Sequence, residues 1–228
     1  MEKKGKILLI GAGGHCCSVL DSLISFNNYE FIGIVDKTFN VGDKLLTVMG
    51  VPVVGNDEEL DRLYKDGYKY AFVTVGSVGD ISIRKRLVQL IKKKNFIIPN
   101  IIDQTAIVSS FSSSGEGIYV GKRAVINANS RIGNYSIVNT SSVVEHGSII
   151  DEFVHLGPGS IVCGDTRIGT GTHIGAGSVI RQGIHIGKGS IIGAGSVVVS
   201  NIGDYVVAFG NPCKRVRESY NVIDKTDI

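Results

Sequence analysis

The 228-residue chain has no tryptophan, only 4 prolines and only 4 cysteines. With so little proline, its 30 glycines do not mark a disordered low-complexity segment; they point to a repeat. Cys16 and Cys17 are adjacent, and the four cysteines show neither paired zinc-ligand spacing nor a disulfide framework. Reduced, buried thiols in a cytoplasmic protein are therefore expected. No apolar run is long enough to span a bilayer. The stretch Ile7–Ile10 behind the basic start ends at once in a glycine turn, unlike a secretory signal. Lys and Arg number 24 against 21 Asp and Glu, a net charge of +3. The longest basic block, Lys92-Lys93-Lys94, reads as the solvated end of a helix, so neither nucleic acid nor a membrane is expected as a partner. What remains, at 43% apolar residues, is one large or two small globular domains.

The glycines fall into register when residues 106–201 are written in rows of six. The third column is aliphatic in 15 of 16 rows, Ser114 being the exception, and half of the fourth column is glycine. A period of six fits neither a helix at 3.6 residues per turn nor a meander of unequal strands. It fits a parallel β-helix in which each row supplies one short strand and one corner, and three rows close a triangular coil. Val138 then stacks on Leu156 and Ile174, and small residues or glycine are expected at the corners. Four histidines and several charges interrupt the outward columns, which favours an enzyme over a purely structural solenoid.

Residues 5–105 read differently. Lys6 to Ile10 is a buried strand running into Gly11-Ala-Gly-Gly-His15, and a helix follows with Val19, Leu20, Leu23 and Ile24 on one face. Further strands are expected over 31–36 and 70–76, with helices over 56–64 and 81–94. This alternation predicts a small doubly wound sheet. The glycine turn lacks the third glycine of a dinucleotide fingerprint, since Cys16 stands there. Backbone N–H groups at the helix start could still hold a phosphate or a sugar hydroxyl. The domains expected are 1–105 (α/β), 106–201 (β-helix) and 202–228 (C-terminal loop or tail).

Four segments carry a resemblance: Gly11–His15, Val35-Asp36, Asn139-Thr-Ser-Ser-Val-Val-Glu-His146 and Gly210-Asn-Pro-Cys-Lys214. Over roughly residues 5–216 the chain resembles the bacterial hexapeptide-repeat sugar acyltransferases that N-acetylate nucleotide-linked 4-amino sugars, and their relatives that O-acetylate sialic acid. The resemblance implies a small Rossmann-like N-terminal domain followed by a left-handed parallel β-helix, assembled as a homotrimer with acetyl-CoA between neighbouring β-helices. It implies that Gly13, Gly14, His15 and Asp36, with Gly76, Arg84 and Asn139, bind the nucleotide-linked amino sugar. His155 and the backbone at Gly164, Ala176 and Ala194 would face acetyl-CoA, and His146 would be the general base, with no metal.

The residue types suit that chemistry. An amine attacking a thioester sheds a proton, and histidine is the side chain ready to take it near neutral pH. His155 and His173 stack on one face, but without a third ligand they do not make a zinc site. Cys163 has no histidine–acid partner in sequence and is read as structural. One position departs from the family: the residue after the base, usually Asp or Glu, is Gly147. Glu145, or a carboxylate from another coil or subunit, is the alternative source of that charge. An unassisted histidine serves an amine better than a hydroxyl, so N-acetylation is expected ahead of sugar O-acetylation. A non-catalytic sugar-nucleotide-binding role is the third alternative.

Overall fold

The computed structural model describes residues 4–38 and 47–219. The chain forms two compact units, one of residues 1–76 and 82–104, the other of 77–81 and 105–228.

The first unit is built on a parallel sheet. Strand β1 (Lys4–Ile10) is followed by helix α1 (Gly14–Phe26), β2 (Tyr29–Val35), β3 (Thr47–Val48), β4 (Val51–Gly55), α2 (Leu60–Lys65), β5 (Tyr68–Val73) and α3 (Ser82–Lys93). The sheet order is β3-β4-β2-β1-β5, parallel except for β3 against β4. Ile7, Leu8, Leu9 and Ile10 are at most 1% exposed, as a strand covered on both faces requires. The chain leaves β1 for β2 on one side and β5 lies on the other, so Gly11–His15 emerges at the topological switch point, where open α/β sheets bind ligands. Two expectations need correction. Ile24 lies outside the buried stripe of α1, 47% exposed, because the buried face closes on Val19, Leu20 and Leu23. The strands β3 and β4 are additional to those expected.

The second unit is a left-handed parallel β-helix of two-residue strands in three stacked sheets. Each strand pairs in parallel with the one 18 residues on, as Val143↔Ile161 and Val144↔Val162. The inward column from Ile126 through Val162 to Val198 is at most 2% exposed, so the aliphatic column is the core. The first column is Ser or Thr in most rows, and it too points inward. Ser142, Ser148, Thr172 and Ser178 are completely buried. Each donates its hydroxyl to a carbonyl 15 residues on, at 2.6–3.0 Å, so burial leaves no orphan.

Every sixth residue from Arg123 to Gly195 has a positive φ, which turns the corner. Small residues were expected there, yet Arg123, Tyr135 and Phe153 also adopt φ of 56–58°. The rings of Tyr135 and Phe153 pack at 4.9 Å between centroids. That packing favours aromatic residues at a conformation that L side chains otherwise avoid. The segment expected as a C-terminal loop or tail instead carries two strands. Val206–Gly210 extends the sheet in parallel beyond Ile191–Ile192, and Cys213–Glu218 returns antiparallel to it. The remainder of that tail, 220–228, lies outside the described residues.

Candidate active site

In the first unit, Gly11 has φ +109°, and a Cβ there would lie 2.7 Å from Val75 Cγ2. Only glycine fits. The turn is then tied down on both sides: Gly11 N–H donates to Val35 O at 2.8 Å, and the Thr74 hydroxyl donates to Gly11 O at 2.6 Å. Asp36 is half-buried at the end of β2. Its Oδ2 accepts from Ala12 N–H at 2.8 Å, and its Oδ1 accepts from the Thr38 N–H and hydroxyl. Burial pushes its carboxyl upward, but hydrogen bonds from Thr38 and Ala12, with the Lys37 charge, outweigh that and hold it below the usual range. Asp36 thus braces the glycine turn. Gly13 caps α1, whose first turn carries no acid, leaving the positive end of the helix open to an anion. The His15 Cβ lies 3.9 Å from where a side chain at Gly76 would begin. Arg84 on α3 is 4% exposed, and burial pushes its guanidinium down to about 10.

In the β-helix the remaining residues lie along two edges of the prism. His146 is exposed on the corner after Val143–Val144. Its imidazole rests on the backbone of the next coil: a Cβ at Gly164 would sit 2.5 Å from its Cε1 and 2.7 Å from its Nε2. Asp165 N–H donates to His146 O at 2.9 Å, fixing the corner. Glu145 is half-buried beside it. The other edge, preceding the same face, carries Asn139, Ala176 and Ala194, the two alanines exposed. The N–H groups of Gly164, Ala176 and Ala194 have no acceptor among the described residues.

His155 is held at both nitrogens. Its Nδ1 lies 2.9 Å from Ser77 O, and its Nε2 lies 3.3 Å from Asn139 Nδ2. A carbonyl only accepts, so Nδ1 carries the proton and Nε2 accepts from Asn139. His173 packs edge-on to His155 at 4.9 Å, and its burial lowers its basicity. Among the described residues no group of three or more His, Cys, Asp or Glu could hold a metal. An open cleft of about 620 Å³ along Ser113, Arg131, Asp151 and Arg167 contains none of the expected site residues.

Residues 6–91 match the family model of the PglD N-terminal domain, and residues 147–182 and 165–200 match the bacterial transferase hexapeptide model. A mutant of perosamine N-acetyltransferase from Caulobacter crescentus, in complex with CoA and GDP-perosamine, is 35% identical. It superposes with a TM-score of 0.86 over 94% of this chain and 98% of its own. The acetyltransferase domain of PglB from Neisseria gonorrhoeae, in complex with acetyl coenzyme A, is 34% identical, with a TM-score of 0.85 over 92% and 98%. The chain belongs to the hexapeptide-repeat sugar acyltransferases. No curated protein matches it. WeeI from Acinetobacter baumannii shares the fold at 23% identity, with a TM-score of 0.78 over 93% of this chain and 100% of its own.

For this acyltransferase, the local constellations are now distinguishable. The first unit brings Gly11, Ala12 and Asp36 together. The β-helix brings His146 onto Gly164, which had been expected only against acetyl-CoA, and joins Asn139 to His155. Two participants escaped the sequence reading. Ser77 is invisible because its partner is 78 residues away in sequence. Asp165 is missed because it belongs to the coil after His146. A Cβ at Gly147 would meet Asp165 Oδ1 at 2.3 Å.

Proposed function

We propose that the protein transfers the acetyl group of acetyl-CoA to the amino group of a nucleotide-linked 4-amino-4,6-dideoxy sugar, with His146 as general base. The observation that carries this reading is an exposed imidazole on a corner of a stiff wall, held against the bare backbone of Gly164. Little entropy is then spent in aiming it. The relatives crystallised with CoA and GDP-perosamine or with acetyl coenzyme A support the substrate classes.

The amine nitrogen attacks the thioester carbonyl while His146 takes the proton it sheds. The tetrahedral oxyanion needs donors, and the unpaired N–H groups at the corners are of the required kind. Collapse breaks the C–S bond, and the imidazolium returns its proton to the departing thiolate. The phosphates of the nucleotide fit the open end of α1 behind the turn braced by Asp36, with Gly13, Gly14 and His15 beside them.

The reaction is placed at an interface between copies. His146 and the Asn139–Ala176–Ala194 edge flank one face, whose outward column is Ile107, Val125, Val143, Ile161, Val179 and Val197. Ile107 is 67% and Ile161 37% exposed. An all-aliphatic column calls for cover. A second copy packed there in a C3 trimer brings the base edge of one protomer to the alanine edge of its neighbour.

Release of CoA thiol is the direct test, measured with acetyl-CoA and a panel of nucleotide-linked amino and hydroxyl sugars. Release with 4-amino sugars alone is expected, and His146→Ala should lower kcat by roughly 10²–10⁴-fold without loss of assembly. Release with hydroxyl-only acceptors would make it an O-acetyltransferase. Sugar-nucleotide binding without release under any acceptor would remove catalysis altogether.

A further inference from the structure

Positions 147 and 165 occupy the same corner site in successive coils, with φ of +68° and +55°. One is glycine and the other carries a carboxylate. A Cβ built at Gly147 would stand 2.3 Å from Asp165 Oδ1 and 3.4 Å from its Cγ, while the next nearest atom is 3.8 Å away. The volume that a side chain at 147 would occupy is therefore already filled by the Asp165 carboxylate. The same coil carries the His146 ring on Gly164, immediately before Asp165, and clamps the His146 carbonyl with the Asp165 N–H. Asp165 Oδ2 accepts from Gln182 Nε2 at 3.4 Å. Among the described residues Asp165 has no cationic partner within the chain, so Oδ1 remains available.

We propose that Asp165 is the positioning residue of the base: its carboxylate, reaching back from the next coil into the space above Gly147, sets a negative charge on the corner beside His146 and polarises it. The inference rests on His146 being the base. No hydrogen bond or ion pair links the Asp165 carboxylate, held by Gln182, to the ring, so it acts through space: a nearby negative charge favours the protonated form of a base and strengthens it. The remaining titratable groups on this edge are Glu145 beside His146, Cys163 above Glu145, and Arg181 above Cys163. The coil beneath contributes Asn127, Ala128 and Asn129, none of which titrates. Glu145 and Asp165 are thus the two acids of the corner, and only Asp165 fills the vacant side-chain position.

Asp165→Asn is the informative substitution, because asparagine keeps the shape and tolerates the left-handed corner. It should lower kcat/KM by about tenfold, a fraction of the worth of the whole base. It should also move the limb on which activity rises with pH to lower pH by about 0.5–1 unit. The His146 ring proton, followed by NMR in the unliganded protein and assigned with His146→Ala, should titrate lower by the same amount. Glu145→Gln should shift both by less. The exchange Gly147→Asp with Asp165→Gly returns a carboxylate to the corner from the other coil and should restore the wild-type limb. An unshifted limb and unshifted His146 titration in folded Asp165→Asn would overturn the proposal, as would a larger shift from Glu145→Gln. If His146→Ala keeps near-normal kcat, the base assignment itself fails. If His146→Ala is inactive and Asp165→Asn titrates as wild type, only the role of Asp165 falls.

Discussion

Gly164 has two neighbours in sequence with obvious chemistry, Cys163 and Asp165, yet its own contribution is the absence of a side chain. Gly164→Ala would place a methyl within 2.5–3.1 Å of three atoms of the His146 ring, so the imidazole must swing off the wall. A displacement of about 1 Å at a reacting group can cost about 10²-fold. We expect kcat to fall by that order while the KM for the nucleotide-sugar stays near wild type, in steady-state assays with each substrate varied. Asp36 offers a second test. Its folded carboxyl lies below the ordinary 3.8, so its contribution to stability is present above that value and is lost as pH falls through the lower folded one. Asp36→Asn should melt earlier than wild type at pH 7, and the gap should close in strong acid. His146 was legible in the sequence because it is one of the histidines that interrupt the outward columns and it ends the family-like segment 139–146. Asp165 was not, because a corner carboxylate has no local signature: its meaning comes from the residue one coil beneath it.

At the level of single elements, the β-helix was readable because one inward residue per row must be aliphatic, whatever else varies. The hydroxyl ladder was not read, since serine in a first column looks like a solvent-facing residue until the coil closes over it. Ser178→Ala should show its worth. The Gly193 carbonyl would keep the Ser196 hydroxyl at 2.6 Å, but the Ser196 N–H, which donates to the Ser178 hydroxyl at 3.3 Å, would lose its acceptor inside the wall, at a cost of about 1–3 kcal/mol visible as a lower midpoint in urea. Ile168→Ala removes a completely buried core residue and should cost more, about 2–5 kcal/mol. In the first unit, β4 escaped notice because Pro52 within Val51–Val54 argues against a ladder position. It is accommodated where β4 meets the two-residue β3. Ile24 misled the helix reading for a different reason: periodicity gives the width of an apolar stripe and not which edge residue the neighbouring layer covers.

At the scale of the assembled molecule, the aliphatic face between the two site edges makes a sharp prediction. Ile161 points outward at 37% exposure, so Ile161→Glu should leave the coil folded and prevent a copy from docking. Light scattering should give three times the 24.3 kDa protomer mass for the wild type and one times for the variant, with acetyl transfer lost alongside assembly. A fully active monomer would remove the interfacial reading.

The 18-residue register has a consequence for how such a chain can change in length. Excision of residues 148–165 would leave every strand paired and every core residue stacked, so the wall would tolerate the loss of one storey. The chemistry would not. Above His146 would then stand Arg181-Gln182-Gly183 in place of Cys163-Gly164-Asp165, setting a glutamine side chain against the imidazole and removing the carboxylate over Gly147. The scaffold is modular while the site is written across two adjacent storeys. Loss of a coil within that pair therefore disables the base even where the wall still stands.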